Sequence, residues 1–255
     1  MHPRDPIARE ALGRYLGMRG ASRVATVLLE EARLFGADPA RIGRELVPLY
    51  ESLGDWRALL TLPSSPLSPT ERRRAAWLSE HPLVSRTDSV GTVLVGPPIG
   101  DTLGRVAVHI GGRTAMAVLL AQDVAITVGV RLAGAQQRGF AGDSTVIVLD
   151  SVIIGSARIT NVSARRGGSP GAVTVGMSVL GALTPTFDFA RNRVRFNRPA
   201  SVPASVRVPL VRSGGRVYVL DRGRWSSLAD YVAIVANAKQ SLTIDFRGGE
   251  IRVQP

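Results

Sequence analysis

The chain has 255 residues, a net charge of +12 at neutral pH and no cysteine. Its length is enough for one large domain or two modest ones, each with its own core. The absence of cysteine excludes disulfides, thiolate metal sites and redox chemistry by the protein itself. The sequence also contains no His-Glu-x-x-His, Walker or dinucleotide-binding motif, so it predicts no cofactor and no metal site.

The positive charge is concentrated near the C-terminus. Residues 190–255 contain 12 basic residues against 4 acidic ones, whereas residues 1–60 contain 9 against 8. A basic surface attracts nucleic acid, anionic lipid and acidic protein alike. Because Lys239 is the only lysine, the pattern favours a composition bias towards arginine over a dedicated phosphate-binding patch. Nucleic acid is therefore disfavoured as a partner, and arginine-mediated binding of it is the weakest of the functions considered.

The beginning of the chain lacks the order of basic, apolar and small residues that is typical of a secretory signal. No apolar run reaches the length of a membrane span. The chain as given is therefore expected to be soluble, and its cellular location is left open.

Helix start and stop signals recur in the first 80 residues. Asp5-Pro6 and Asp38-Pro39 each place an N-cap carboxylate before a proline at the first helical position. Ser68-Pro69-Thr70-Glu71 is a capping box, and Gly36 and Gly54 follow apolar residues at helical spacing as predicted helix ends. Those apolar residues are Val24, Val27, Leu28, Leu34 and Phe35, then Ile42, Leu46, Leu49, Tyr50 and Leu53. We predict four or five amphipathic helices joined by short turns.

The two Asp-Pro starts are 33 residues apart, which is close to a tetratricopeptide-type period. The segment from Leu46 to Trp56 resembles one helical hairpin of that kind. We therefore interpret residues 1–82 as a tetratricopeptide-like region of α-helical hairpins.

From residue 83 onward, apolar residues alternate and glycines mark the turns. Val106 to Leu119 around Gly111-Gly112 predicts one β-hairpin, and Val146 to Val162 around Gly155-Ser156 predicts another. Thr186 to Phe196 is a third hairpin candidate. Residues 83–199 are therefore expected to form a mainly-β domain.

The sequence of the third hairpin is partly repeated near the C-terminus. Thr243 to Val253 aligns with Thr186 to Phe196 without a gap, with Thr, Asp, Phe and Arg at matching positions. Residues 200–255 are therefore predicted to form a partial second β-lobe or extension. The whole chain is predicted to be an α+β multidomain protein.

The order of the β-elements resembles that of a retropepsin-like aspartic protease lobe. After the first hairpin come Thr127-Val128 and Arg131-Leu132-Ala133, then Leu149 to Gly155, and then Val175-Gly176-Met177-Ser178-Val179-Leu180, each similar to a landmark of that family. Thr186 to Phe196 resembles the closing hairpin of such a lobe. The resemblance spans about 110 residues and implies an acid-protease-like barrel. It also implies half of a cleft, which a second lobe or a second copy of the chain would complete.

The catalytic signature of that family is absent from the matching position. The alignment places Ala121, Gln122 and Asp123 where the family has Asp-Thr-Gly. In the second lobe, Asp221-Arg222-Gly223 follows an apolar strand as a second catalytic triplet would, although Asp-x-Gly is also a common hairpin turn. Aspartic proteolysis needs two carboxylates close enough to share one proton.

We therefore expect a catalytically inactive protease homologue that binds an extended polypeptide by strand addition, or that self-associates as a homodimer. The alternative is an active but atypical aspartic endopeptidase that uses Asp221, Asp123 or both. Whether the chain is an enzyme stays open at this point. Ala121, Gln122 and Gly223 mark the remnants of the site in either case.

Overall fold

A computed structural model describes residues 4–63, 67–86, 91–122, 126–129, 137–140, 143–167, 169–196, 206–213, 215–246 and 248–254. Contacts within the chain divide it into two units. The helical unit consists mainly of Met1–Pro82, and the β-rich unit comprises most of residues 83–255. The predicted α+β layout, with N-terminal helices followed by a mainly-β region, is confirmed. No helix in the described ranges is both long and apolar enough to cross a bilayer.

The described part of the helical unit contains five helices: α1 (Pro6–Met18), α2 (Ser22–Leu34), α3 (Pro39–Leu53), α4 (Trp56–Thr61) and α5 (Pro69–Glu80). The predicted start signals are confirmed. The carboxylates of Asp5 and Asp38 accept hydrogen bonds from backbone N–H groups of the first turn, and Ser68 and Glu71 form the reciprocal capping box. Each bond satisfies an N–H group that has no partner within its helix.

The residues that α2 buries are not the apolar residues from which the helix was predicted. Ala25, Leu29 and Ala32 are buried, whereas the side chains of Val24 and Val27 are 52% and 57% exposed. Helix α1 approaches α2 closely at Gly13, where an added Cβ would lie 2.9 Å from Leu29. Because Gly13 has no side chain, Ala25 and Leu29 of α2 can pack against α1 there, while Val24 and Val27 face outward.

The β-rich unit contains sixteen strands and two further helices in its described residues. These are β1 (Val84–Arg86), β2 (Thr92–Val93), β3 (Thr102–Ile110), β4 (Arg113–Leu120), β5 (Ile126–Val128), β6 (Gln137–Phe140), β7 (Asp143–Ile154), β8 (Ala157–Arg166), β9 (Val173–Val175), α6 (Met177–Leu180), β10 (Pro185–Asp188), β11 (Arg193–Phe196), β12 (Val206–Ser213), β13 (Arg216–Asp221), β14 (Arg224–Ser227), α7 (Leu228–Asn237), β15 (Ser241–Asp245) and β16 (Glu250–Gln254).

The first sheet closes into a barrel. Its strands follow the order β1-β8-β5-β9-β4-β3-β7-β6, and an additional pairing of β7 with β8 closes a ring of six strands. Strand β4 runs parallel to β9 and β5 runs parallel to β8, while the other pairings of the ring are antiparallel. The predicted hairpins β3–β4 and β7–β8 are both confirmed. Gly111 and Gly112 have φ angles of 56° and 77°, as the two-residue turn between β3 and β4 requires.

The second sheet joins the closing hairpin to the C-terminal residues. Its order is β14-β13-β12-β16-β15-β10-β11-β2. The predicted hairpins β10–β11 and β15–β16 are confirmed and have the same register, with Pro185 opposite Phe196 and Leu242 opposite Val253. Thr186 lies opposite Thr243, and their buried hydroxyl groups are hydrogen-bonded at 2.8 Å. The two hairpins are therefore related by a local two-fold arrangement centred on these threonines.

Buried side chains from both sheets, α6 and α7 form one continuous apolar core. Phe187 and Phe196 are among its largest fully buried side chains. Since the closing hairpin and the C-terminal strands share this core, the second sheet is an extension of the barrel unit.

Candidate functional site

The position that the resemblance assigns to catalysis lies just after β4. The backbone N–H of Ala121 donates to the carbonyl of Asp101 at 2.8 Å. The N–H of Met177, at the start of α6, donates to the carbonyl of Gln122 at 2.8 Å. These two bonds tie the backbone of Ala121 to Asp101, just before β3, and the backbone of Gln122 to the start of α6.

The side chain at this position, that of Ala121, is apolar. Ala121 is 4% exposed and offers only a methyl group, which neither holds nor moves a proton. The amide of Gln122 donates from Nε2 to Oδ2 of Asp101 at 2.6 Å, so the carboxylate found here comes from the loop before β3. Sequence reasoning missed Asp101 because no motif marks it. Asp123 lies outside the described residues.

Asp221 lies at the end of β13, opposite Arg224 of β14. Between them, Arg222 and Gly223 form a two-residue turn with φ angles of 48° and 78°. The interpretation of Asp-x-Gly as a hairpin turn is confirmed, since a turn of this type needs positive φ at both central residues. Asp221 belongs to the second sheet, whereas Ala121 follows a strand of the barrel.

Arg222 has an unfavourable backbone conformation. A side chain larger than glycine costs about 1–2 kcal/mol in the left-handed region, and this turn position favours Asn, Asp or Gly. Backbone strain of this kind clusters at functional sites. Arg222 also lines a pocket beside this turn.

A pocket with a volume of about 340 Å³ lies next to this turn. We call it the Asp221 pocket. Its lining residues are Val206, Asp221, Arg222, Tyr231, Ile234, Val235, Gln240 and Val253. Aliphatic walls combined with a few polar groups are typical of sites that bind a side chain or a small molecule.

The polar groups of the pocket influence one another. Tyr231 is 8% exposed, and burial raises the pKa of its hydroxyl; the nearby Asp221 carboxylate raises it further, while Arg222 opposes the shift. The tyrosine is therefore a neutral hydrogen-bonding group at physiological pH. The pocket thus offers an anion, a cation and a neutral hydroxyl against an apolar wall.

Sequence reasoning missed Tyr231 together with the whole of α7. A signal was present, because Ser227 and Asp230 stand three residues apart before an apolar run. The Ser227 hydroxyl accepts a hydrogen bond from the N–H of Asp230 at 3.1 Å and caps the helix.

Within the described ranges, no three His, Asp or Glu side chains lie together as potential metal ligands.

No protein-family model matches the chain, and no curated protein matches it. Among solved structures, the chain is similar to a retropepsin-like aspartic protease from Rickettsia conorii. The likeness covers 39% of this chain and 83% of that chain, with 15% sequence identity and a TM-score of 0.28.

Proposed function

We propose that the chain is a noncatalytic homologue of the retropepsin-like proteases that binds an extended segment of polypeptide. The proposal is supported chiefly by Ala121, whose buried methyl group occupies the position at which the resemblance requires a carboxylate. Catalysis of this kind depends on two carboxylates that share one proton, so one isolated carboxylate elsewhere does not suffice.

The rival proposal is an atypical aspartic endopeptidase that uses Asp221, Asp123 or both. Among the described residues, Asp221 lines the pocket together with Tyr231 and Arg222, and Arg224 lies opposite it on β14. A tyrosine and two arginines supply no second carboxylate. This geometry favours a binding role for Asp221 over a catalytic one.

The second sheet offers a way to hold the polypeptide. Strand β14 is the last strand of that sheet in the described part of the chain, so a bound segment can pair with its outer edge. The Asp221 pocket lies beside the turn that leads into β14 and can accept an apolar side chain. Asp221 and Arg222 at the pocket can then pair with polar groups of the same segment.

Fluorescein-labelled casein, an unstructured polypeptide, tests this binding in an anisotropy titration. Ile234 lines the pocket and is 64% exposed, so Ile234→Glu adds a charge to the apolar wall with little effect on folding. We expect casein affinity to fall about tenfold or more, since loss of one buried apolar side chain is worth about 1.5–3 kcal/mol.

Val27→Glu is the matched control, because Val27 is similarly exposed but lies on α2 of the helical unit. It should leave casein affinity unchanged. Equal losses in the two variants, or no binding of casein by the wild type, would contradict the proposal.

Self-association stays a prediction. The β15–β16 hairpin already pairs with the edge of β10 that a second copy could otherwise occupy. A homodimer would therefore use another edge or face of the chain, and a measurement of mass in solution by light scattering tests the predicted self-association.

A further inference from the structure

One face of β12–β14 carries two aromatic side chains, the half-buried Tyr218 and the exposed Trp225. Along β13, Val217 and Val219 are buried in the core, so Tyr218 and Leu220 point to the opposite side of the sheet. Trp225 lies directly opposite Leu220 on β14, which places it on that same side, and it is 58% exposed. The two aromatic rings therefore project from the face that points away from the core.

Arginines flank these rings on the same face. Arg216 stands two residues before Tyr218 on β13, and Val211 of β12 lies opposite Tyr218. The period of two along β12 then places Arg207 on this face as well. Both arginines are exposed. We call this surface the aromatic face and define it by Arg207, Arg216, Tyr218, Leu220 and Trp225.

The charge of the aromatic face is positive. Residues 206–227 contain five arginines and a single acidic residue, Asp221. Of these arginines, Arg207 and Arg216 lie on the aromatic face, and Arg207 lies 3.8 Å from the carboxylate of Glu250 on β16. Asp221 is one position after Leu220 on β13 and lines the pocket on the other side of the sheet. In the described strands β12–β14, the aromatic face itself therefore carries no carboxylate.

The spacing of the Tyr218 and Trp225 rings allows each ring to stack on a separate planar group. Tyr218 and Trp225 are diagonal neighbours across two strands, since Trp225 lies opposite Leu220 and Tyr218 lies opposite Ser227. Diagonal positions on one sheet face are roughly 7–8 Å apart. Each ring can therefore meet its own planar partner.

We propose that the aromatic face binds single-stranded nucleic acid. Bases stack on Tyr218 and Trp225, and the phosphates of the backbone pair with Arg207 and Arg216. Aromatic platforms flanked by positive charge bind single strands in this manner with little dependence on sequence. A duplex keeps its bases stacked inside, so it can use only the arginines.

The composition of the chain did not favour this partner, because an excess of arginine alone attracts any anion. The placement of the two rings distinguishes nucleic acid from other anionic partners. An acidic polypeptide satisfies the arginines equally well but offers no row of planar groups to Tyr218 and Trp225. The affinity for nucleic acid should therefore depend on the rings as well as on the charges.

The test is an anisotropy titration of a fluorescein-labelled thymidine oligonucleotide of about 12 nucleotides, a length within the span of one such site. Trp225→Ala is expected to weaken binding between about 5-fold and about 150-fold, the range that stacking of one base supports. Trp225→Phe keeps a ring and should retain most of the affinity. Because Trp225 is exposed, both variants should fold, which circular dichroism checks.

Salt dependence tests the role of the arginines. For a single strand, each lost phosphate contact lowers the slope of log affinity against log salt by about 0.7. Arg216→Gln should show that decrease. Arg14→Gln removes the same charge from an exposed side chain on α1 and should leave the slope unchanged.

Three results would overturn the proposal: no binding of the oligonucleotide at about 50 mM salt, equal affinity for a duplex of the same length, or equal affinity in Trp225→Ala and the wild type. Displacement of the oligonucleotide by polyglutamate with no dependence on Trp225 would assign the face to acidic protein instead. Ile234 lines the pocket, so Ile234→Glu should leave oligonucleotide affinity unchanged. Failure of this proposal is therefore separable from failure of polypeptide binding.

Discussion

Replacing Arg222 with asparagine separates the stability of the β13–β14 turn from the function proposed for the pocket. Arg222 has a φ angle of 48° in a two-residue turn, a conformation that asparagine adopts far more readily. The same change removes the cation from the Asp221 pocket. We therefore expect Arg222→Asn to be more stable than the wild type and weaker in binding polypeptide.

The gain in stability follows from the backbone alone. An ordinary side chain in the left-handed region costs about 1–2 kcal/mol, and asparagine relieves a large part of that cost. Arg222 is exposed, so the attraction to Asp221 that is lost offsets only a fraction of the gain. The expected net change is about 0.5–1 kcal/mol, which corresponds to a rise in Tm of about 1–4 °C for a unit of this size.

Urea unfolding followed by fluorescence measures the change, and casein anisotropy measures the binding. Arg224→Asn is the control, because it removes an equal charge from a strand position next to the same turn. That variant should show no gain in stability. The strain argument is refuted if Arg222→Asn is no more stable than the wild type.

Three further predictions concern single side chains. Lys239 has a φ angle of 53° just after α7, where the N–H of Gln240 bonds to the carbonyl of Val235, so Lys239→Gly should raise the free energy of unfolding by about 0.5–1 kcal/mol in urea. The pKa of the Tyr231 hydroxyl lies above its ordinary value of about 10. The stability that the neutral tyrosine contributes is therefore fully present below about pH 10 and is lost as the pH rises through the raised pKa. Asp221→Asn should lower that pKa, which ultraviolet titration detects as a difference from the wild type that disappears in a Tyr231→Phe background. Ala121→Asp should destabilise the protein by about 2 kcal/mol or more, because it buries a carboxylate, whereas Ala121→Ser should have a smaller effect in the same urea assay.

Local signals predicted the local structure. The caps at Asp5, Asp38 and Ser68 fixed the starts of helices because each acts within three residues of itself. Glycines with positive φ, such as Gly111 and Gly155, likewise marked hairpin turns that the structure confirms. The equal registers of β10–β11 and β15–β16 were visible in the sequence as a repeat without a gap.

Features that depend on distant contacts were not predictable in the same way. The outward orientation of Val24 and Val27 follows from the close approach of α1 at Gly13, which the spacing of apolar residues in α2 does not encode. The bond between Gln122 and Asp101 joins a loop to a residue 21 positions away.

The Asp221 pocket is assembled from β12, β13, β16 and α7, and no single segment of sequence contains its polar set. Asp221 was identified from its Asp-x-Gly context, whereas its neighbour Tyr231 required the tertiary fold. The sequence therefore indicated one residue of the pocket without indicating the pocket.

Proteolysis of casein from acidic to neutral pH tests the central claim most directly. The wild type, Asp221→Asn and Asp123→Asn are compared, with an active retropepsin as a positive control for the assay. We predict that none of the three proteins cleaves casein at any pH, because Ala121 leaves the position without a carboxylate. Cleavage by the wild type that is blocked by a statine-type inhibitor and lost in either variant would contradict the account and establish an active aspartic endopeptidase.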